Sequence, residues 1–384
     1  MPCSQPLHPF HFLIHLRLTS IICFALIVHA CGYGQSAIGK GYNFQGNGKN
    51  YNAVLLKSLY TPATLPWDSV SNFIPSKEAS LTDQQRHLNN RSNSAINYGN
   101  LTISQHQFIE VIETLKLSSQ MSSQELNAKI VAYKIKGEDG KGNVHFTGYY
   151  TPIVKVRATR DSVYKYPFYR LPKKWEGPMP SRRQIDAGHQ LQGLNLEIAW
   201  ASDLLEVYFM HIQGSGYIMY PDGKKQLLRY GGKNSHGYKS IGKHLVETGE
   251  IPANEISLDA IVRWCEKYPK KVHKTLYSNP SYTFFEPVNK PVTGAANIPL
   301  IESHSIAVDT RYVPLGAVLV GKTPILNSVN ELVKYEWKIL FAHDTGAAIK
   351  GAGHVDIYMG IGVSAKTKAS ALHHYGELYL LLPK

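Results

Sequence analysis

The chain has 384 residues, of which 43% are apolar, and its 41 Lys and Arg against 28 Asp and Glu give a formal net charge of +13. The apolar fraction excludes a globally disordered chain, and the length exceeds what one core usually organises, so two domains are expected. The positive charge favours anionic partners such as nucleic acid, anionic lipid or acidic polysaccharide.

The first 31 residues are typical of an export signal. Arg17 precedes an apolar run, residues 18–28, which is too short for a permanent membrane span but fits the core of a signal peptide. Ala30 directly before Cys31 indicates a lipoprotein signal over residues 1–31, with Cys31 acylated after cleavage. Ordinary secretion with cleavage nearby is the alternative. Export argues against nucleic acid as the anionic partner.

The next segments predict a tether and then a folded chain. Residues 32–50 are rich in glycine and polar side chains, which predicts a flexible tether, and we expect ordered structure from about Tyr51. Ser104 followed by Gln107 resembles a capping box, and apolar residues then recur at helical spacing. From Val144 the sequence VHFTGYYTPIVKV is aromatic and β-branched, and short strands are predicted to about Tyr230.

Two helices are predicted after the strand-rich region, around Ile241–Glu247 and Leu258–Lys267. In the second, Ser257 is the expected N-cap, and Cys265 falls on the apolar face, so it is expected to be a buried small hydrophobe and not a nucleophile. Strand-like sequence returns near Tyr282 and continues to the C-terminus. The fold prediction is a mainly β protein with a few helices.

The stretch HDTGAAIKGAGHVDIYMG, residues 343–360, is the first candidate site. It is not a phosphate-binding loop, because Lys350 precedes Gly351 where that motif needs the reverse order. The paired His and Asp residues have metal-ligand chemistry, but the spacing is a weak metal signal. A plain turn between two strands explains Asp344 and Asp356 equally well. Asp356 is flanked by apolar residues in a strand-like run, however, so desolvation could raise its pKa and make it a general acid.

Two further motifs are candidates for substrate contacts. HIQGSGYI, residues 211–218, is not a nucleophile elbow, because Gln213 stands where that motif needs glycine. Its polar side chains could bind a sugar, or the segment could be an ordinary glycine turn. GYYTP, residues 148–152, could line a groove with its tyrosines and threonine, or simply end a strand.

Taken together, the motifs resemble the membrane-bound lytic murein transglycosylase A family, with its C-terminal three-aspartate domain. The motifs that carry this resemblance are FTGYYTP at 146–152, YPFYRLP at 166–172, PSRRQI at 180–185, HIQGSGYI, YGGKNSHGYKSIGKHL at 230–245, NPSYTFFEP at 279–287, VDTRYVPLG at 308–316, and DTGAAIKG with VDIYMGIG at 344–362. The resemblance covers about residues 95–384, and the three aspartates of the family fall on Asp309, Asp344 and Asp356.

The resemblance implies a fold and a reaction. Members of the family cleave the β-1,4 bond between N-acetylmuramic acid and N-acetylglucosamine of peptidoglycan without water, leaving a 1,6-anhydro end, and need no cofactor or metal. It implies that Asp356 is the acid/base and Asp344 its partner. It also implies a double-psi β-barrel from residues 51–151 and 285–384, with a second β domain, 152–284, inserted. Substrate contacts are expected from Tyr149, Thr151, Gln213, Ser215, Gly216, Asp309 and Lys350.

Two departures from the family pattern bear on this expectation. Ala347 replaces a glycine after the second aspartate, so the turn is strained if that position needs a positive φ. Ala371, Leu372 and His373 replace Trp-Tyr-Asn before His-Tyr-Gly, which removes an aromatic sugar contact.

Three functions are therefore carried forward. The first is a monomeric lytic transglycosylase, lipid-anchored to the periplasmic face of the outer membrane of a Gram-negative bacterium, because Gly32 follows the acylated cysteine. The second is a non-catalytic peptidoglycan-binding lipoprotein on the same fold. The third is a metal-dependent hydrolase that uses the His and Asp pairs.

Overall fold

The structure is a computed structural model that describes residues 58–70, 78–90, 94–137, 139–253, 255–256, 258–347 and 349–384. The export signal with Cys31, the tether 32–50 and the Ser257 cap lie outside the described residues. Within the described residues, no helix is both long and apolar enough to cross a membrane.

The strands are numbered in chain order. They are β1 Tyr60–Ala63, β2 Ile96–Tyr98, β3 Leu101–Ile103, β4 Ile130–Ile135, β5 Val144–Thr151, β6 Ile153–Arg157, β7 Tyr166–Tyr169, β8 Glu197–Ala201, β9 Gly216–Met219, β10 Lys225–Lys233, β11 Thr283–Val288, β12 Ser305–Ala307, β13 Val318–Leu326, β14 Leu332–Asp344, β15 His354–Ile361 and β16 His373–Pro383.

The helices are numbered in the same way. They are α1 Trp67–Val70, α2 Glu78–Asn89, α3 Gln105–Lys116, α4 Ser123–Lys129, α5 Arg182–Asp186, α6 Leu204–Gln213, α7 Ile241–Glu247, α8 Leu258–Lys267, α9 Pro269–Tyr277 and α10 Gly362–Ala371, with one 3-10 turn at Ser118–Gln120.

The larger sheet draws on both ends of the chain. Its eight strands follow the order β1-β4-β16-β13-β14-β12-β15-β5, and β16 also pairs with β5. That extra pairing closes β5, β16, β13, β14, β12 and β15 into a ring. A closed ring has no free edges among its members, and its interior is filled by side chains.

Hydrophobic burial accounts for the core of this ring. In β13 the first four residues are all buried, and in β14 the run Ile339–Ala342 is buried as well. Helix α3 packs on β16 through Phe108, Val111, Ile112 and Leu115, whose spacing places them on one helical face. Each such side chain stabilises the fold by about 1.5–3 kcal/mol when fully buried.

The smaller sheet is built from the middle of the chain. Its six strands follow the order β11-β10-β9-β6-β8-β7, and β6 begins two residues after β5 ends. Helix α6 packs between the two sheets, since it contacts β5 of the larger sheet and β7, β8 and β11 of the smaller one. This arrangement places the ends of β5 and α6 at the junction of the two sheets.

Several predictions of local structure are confirmed. The molecule is mainly β, and the helices over Ile241–Glu247 and Leu258–Lys267 are present with those bounds. The capping box is formed, because the Ser104 backbone N–H donates to the Gln107 side-chain oxygen at 2.9 Å. Cys265 is buried as a free thiol.

Helices interrupt two of the regions for which the sequence predicts short strands. Between Val144 and Tyr230 the chain forms α5 and α6, and near the C-terminus it forms α10. Five consecutive residues of α6, 207–211, are buried, so its sequence lacks the polar face that marks most surface helices. Its ends are nevertheless set by local chemistry: the Asp203 side chain accepts from the Leu205 N–H, and Gly214 ends the helix at φ 76°.

Candidate active site

The two acids of the C-terminal motif lie on either side of one short strand. In the register of the larger sheet, Ala307 of β12 pairs with Asp344 of β14 on one side and with Asp356 of β15 on the other. Asp344 ends β14, the intervening loop spans residues 345–353, and Asp356 is the third residue of β15. The loop therefore returns the chain so that Asp344 and Asp356 flank β12 at the same level.

Asp356 is buried and has one hydrogen-bond donor among the described residues. Asp356 is only 7% exposed, and the Thr147 hydroxyl donates to its Oδ1 at 2.8 Å. Burial raises the pKa of Asp356 to about 7, with the Thr147 hydrogen bond opposing the shift and the neighbouring Asp344 charge adding to it. The prediction that apolar neighbours raise the pKa of this acid is confirmed.

Asp344 is a carboxyl group with three donors. The backbone N–H groups of Ala295 and Thr345 each donate to Oδ1 at 2.9 Å, and the Tyr149 hydroxyl donates to Oδ2 at 3.0 Å. Burial raises the pKa of Asp344, and these three hydrogen bonds act against that rise. Because hydrogen bonds to the charged form favour it, Asp344 holds a negative charge more readily than Asp356 does.

Asp344 accepts three hydrogen bonds and Asp356 accepts one, and this difference gives the two carboxyl groups different roles. Asp344, with its three donors, carries the charge, and burial, aided by repulsion from that charge, keeps the proton on Asp356. The site can therefore present one protonated acid next to one anion near neutral pH.

Asp309 supports the loop between the acids. Its carboxylate is buried, accepts from the backbone N–H of Gly351 at 2.9 Å, and is held by the guanidinium of Arg311, whose Nε lies 2.9 Å from Oδ1. Burial raises the pKa of Asp309, but the hydrogen bonds from Arg311 and Gly351 outweigh it and the net shift is downward. Lys350, one residue before Gly351, is exposed on the same loop.

Aromatic and hydroxyl side chains from β5 and β15 line the neighbourhood of the acids. The rings of Tyr149 and Tyr358 lie 5.3 Å apart, and the Tyr358 and Thr151 hydroxyls are 2.8 Å apart. Both strands run parallel, so Thr147 and Tyr149 stand opposite Asp356 and Tyr358. Of the residues predicted for substrate contact, Tyr149 thus lies beside Asp344, and Thr151 contacts Tyr358.

The second sequence motif lies at the end of α6. Gln213 is the last residue of the helix, and its side-chain oxygen accepts from the Tyr150 backbone N–H at 3.4 Å. Ser215 is half-buried, and Gly216 opens β9. A Cβ at Gly216 would stand 2.9 Å from Pro152, so this glycine permits β9 to approach the end of β5 closely.

Four residues of the neighbourhood were not selected from the sequence. Thr147 and Ala295 reach the acids only through strand register and a distant loop, which no local pattern encodes. Tyr358 was accessible to sequence reasoning, since it follows Asp356 by two residues and alternation puts both on one face of the strand. The fourth, His354, was considered only as a metal ligand.

Both nitrogens of His343 and the Nε2 nitrogen of His354 have other partners. His343 Nδ1 lies 2.8 Å from the Ser305 hydroxyl and its Nε2 contacts the Gln84 amide oxygen, while burial lowers the pKa of His343 to about 3. His354 Nε2 lies 3.0 Å from the Thr147 hydroxyl. Among the described residues, no group of three or more His, Cys, Asp or Glu side chains is arranged to hold a metal ion.

The two departures from the family pattern have different outcomes. Ala347 is not among the described non-glycine residues with positive φ, so the expected strain in that turn is absent. Leu372 is buried in the core of the larger sheet, and His373 begins β16.

Two family models match the chain. Residues 145–286 match the MltA specific insert domain, and residues 304–382 match the 3D domain. The first spans most of β5 and of the smaller sheet, and the second spans β12 to β15, nearly all of β16, and the three aspartates.

Named relatives and solved structures agree with these models. The chain is 41% identical over 256 residues, 66% of its own length and 69% of the relative's, to membrane-bound lytic murein transglycosylase A of Escherichia coli K12. The crystal structure of E. coli MltA with bound chitohexaose superposes with a TM-score of 0.70 at 35% identity, covering 85% of this chain and 95% of that one. The membrane-bound lytic murein transglycosylase of Agrobacterium tumefaciens gives a TM-score of 0.71 at 27% identity, covering 84% and 98%.

Proposed function

The chain belongs to the membrane-bound lytic murein transglycosylase A family, and from that membership we propose how Asp356 and Asp344 cleave peptidoglycan. The enzyme is a peptidoglycan lytic transglycosylase that breaks the β-1,4 bond between N-acetylmuramic acid and N-acetylglucosamine. It does so without water, leaving a 1,6-anhydro-muramic end.

The unequal solvation of Asp356 and Asp344 is the observation that carries the catalytic proposal. Asp356, with one donor and a pKa of about 7, protonates the glycosidic oxygen as the bond breaks. The resulting carboxylate then takes the proton of the muramic 6-hydroxyl, whose oxygen attacks the anomeric carbon. The proton count closes within one cycle, so one acid serves both steps, where a hydrolytic glycosidase needs two carboxylates.

Asp344 provides the negative charge of the site. Its three donors favour the carboxylate form, which stabilises the oxocarbenium-like transition state and keeps Asp356 protonated. General acid and general base roles of this kind each contribute about 10²–10⁴-fold to the rate.

The glycan strand lies at the junction of the two sheets. The relative with bound chitohexaose supports glycan binding by this fold. Thr151, Gln213, Ser215 and Gly216 contact the sugar from the ends of β5 and α6, and Lys350 contacts it from the loop rim. Tyr149 and Asp309 support the site and do not contact the sugar, because Tyr149 is hydrogen-bonded to Asp344 and Asp309 is hydrogen-bonded to the loop at Gly351.

The closed ring of six strands supports a double-psi β-barrel formed by residues 51–151 and 285–384, with 152–284 inserted. The membrane-bound relatives support association with a Gram-negative envelope membrane. Acylation of Cys31, the outer membrane as the target and a monomeric enzyme complete the proposal. Equal incorporation of labelled palmitate into the full chain and its Cys31→Ala variant would contradict the anchor.

The test of this function is digestion of purified sacculi followed by mass spectrometry of the products. Wild type is expected to release anhydro-muropeptides, and Asp356→Asn to release none. Reducing ends from the wild type would overturn the lyase reaction, and full activity of Asp356→Asn would overturn the role of the acid.

A further inference from the structure

Two buried side chains, Thr147 and His354, form a row that leads away from Asp356. Thr147 Oγ1 lies 2.8 Å from Asp356 Oδ1 and 3.0 Å from His354 Nε2, with the Val355 carbonyl oxygen further away at 3.4 Å. Thr147 is 3% exposed and His354 is 2% exposed, so water does not compete freely for these contacts. The parallel register of β5 and β15 brings the three together.

The Thr147 hydroxyl has one proton and can donate only once. If His354 Nε2 carries a proton, it donates to Thr147 Oγ1, and the hydroxyl proton is available for Asp356. If Nε2 is bare, it competes with Asp356 for that same proton. The tautomer of His354 therefore decides whether the acid receives its one hydrogen bond.

We propose that His354 is a positioning residue for the acid, an inference that rests on the proposed function. Its Nε2–H donates to Thr147, which commits the hydroxyl proton to Asp356 Oδ1. An oxygen that accepts a hydrogen bond is the carbonyl-like oxygen of a carboxylic acid, so the transferable proton resides on Oδ2. No other hydrogen bond to this carboxyl is present among the described residues, which leaves Oδ2 to face the glycosidic oxygen.

The titratable groups around His354 come from two neighbouring strands and one helix. From β5, the His145 ring stacks on the His354 ring at 5.2 Å, and His145 Nε2 in turn lies 3.0 Å from His373 Nδ1 of β16. Tyr375 of β16 stacks on His145 from the other direction, and burial lowers the pKa of His373. Neutral imidazoles with fixed tautomers suit such a cluster, since adjacent charges would repel.

The remaining groups lie near the acids or on α10. Asp344 and Tyr149 are linked by their own hydrogen bond on the far side of Asp356. Lys366 of α10, which packs on β5 and β15, is within electrostatic reach of Glu206. The three residues of β12, between the acids, have no titratable side chain.

The first test reads the tautomer directly in the wild-type chain. Nitrogen-15 NMR of histidine-labelled protein, with the His354 signals identified by their absence in His354→Gln, distinguishes the two neutral forms. The proposal expects the Nε2–H form. A His354 protonated on Nδ1 alone would overturn it, because Thr147 would then donate to the imidazole.

The second test follows the Asp356 carboxyl by carbon-13 NMR, with Asp356→Asn to identify the signal. The Thr147 hydrogen bond lowers the pKa of Asp356, so Thr147→Val is expected to raise it and Thr147→Ser to keep it near the wild-type value. His354→Phe is expected to raise it as well, while His354→Gln, which retains a donor, restores it. In the Thr147→Val background, His354→Phe is expected to add no further shift, because both changes break one chain.

Kinetics provide the functional readout. His354→Phe is expected to lower kcat on sacculi roughly tenfold, the worth of one hydrogen bond to a reacting acid, with KM nearly unchanged.

An Asp356 titration in His354→Phe that matches wild type would overturn the positioning role, even if the variant is less stable. Neither NMR measurement depends on turnover. A wild type that gives the expected spectra but no anhydro product would therefore refute the proposed reaction and leave the hydrogen-bond chain supported.

Discussion

At Asp356, burial and a single hydrogen bond act on the proton in opposite directions. Burial is the larger effect and sets the pKa at about 7, three units above the range of an exposed aspartate. Asp344, which pairs with the other side of β12, has three donors where Asp356 has one. This difference in the number of hydrogen-bond donors makes Asp356 the acid and Asp344 the anion.

The pH dependence of activity follows from this pair. The first step needs protonated Asp356, so kcat/KM is expected to fall as pH rises through about 7. It is also expected to fall on the acid side as Asp344 becomes protonated. In Asp344→Asn the repelling charge is gone, so the alkaline limb moves to lower pH. An alkaline limb that does not move in this variant would contradict the coupling of the two acids.

The burial of Asp356 is expected to lower the free energy of unfolding at neutral pH. The pKa of Asp356 is about 7 in the folded state and near 3.9 when unfolded, so the unfolded chain loses its proton first as pH rises. Stability is thus lost between about pH 4 and 7, by at most about 4 kcal/mol. Asp356→Asn is expected to unfold at a higher temperature than wild type at pH 8 and at about the same temperature at pH 3. A less stable variant at pH 8 would show that burial does not strain this carboxyl.

At the scale of elements, the segment around Gly294 holds Asp344 in place. Ala295 N–H donates to Asp344 Oδ1, and Ala296 N–H donates to the His343 carbonyl at 2.8 Å. A Cβ on Gly294 would stand 2.3 Å from that carbonyl oxygen and 3.0 Å from Asp344 Cβ. Only glycine lets this segment lie against the end of β14.

Gly294→Ala is therefore expected to displace the Ala295 donor. The overpacking costs about 1–3 kcal/mol of stability, and kcat falls at least about tenfold with the lost hydrogen bond. Gly237→Ala is the matched control, since nothing lies within 4 Å of a Cβ there. Thermal unfolding and sacculus digestion measure both variants. Equal behaviour of the two would refute the role of the close approach.

Element by element, the sequence was informative where local chemistry decides the structure. The capping box at Ser104 and the two amphipathic helices of the middle region follow from short-range spacing. Helix α6 could not be predicted because it is buried on nearly all sides. A buried helix has no polar face, so its sequence does not show the alternation of polar and apolar residues that indicates a helix. Two of the three hydrogen bonds to Asp344 could not be predicted for another reason: their donors, Tyr149 and Ala295, are far away in the chain.

At the scale of the molecule, charge and topology have separate roles. The larger sheet takes strands from both chain ends, and the smaller sheet comes from the sequence between them, so the strand pairings around the two acids are specified by no single segment. The family motifs predicted the acids, whereas the ring closure through β16 and β5 had no local signature. The net charge of +13 acts on the approach of the polymer rather than on the chemistry.

Salt is expected to weaken the encounter with anionic sacculi. Raising ionic strength shortens the Debye length from about 10 Å at 0.1 M to about 3 Å at 1 M, so KM on sacculi should increase while kcat changes little. A neutral chitin oligosaccharide is the control, because its binding has no net charge to screen. An equal weakening by salt of sacculus binding and of chitin-oligosaccharide binding would show that the basic charge has no role in recognition.

The central claim is that the substrate closes a ring on itself with Asp356 as the sole proton carrier, and oxygen-18 water tests it most directly. Sacculi are digested in this water, and the new muramic ends are examined by mass spectrometry. The account predicts anhydro ends that contain no heavy oxygen in wild type and no new ends from Asp356→Asn. Muramic ends that carry one heavy oxygen, formed at the rate of bond cleavage, would show that water is the nucleophile and would contradict the account.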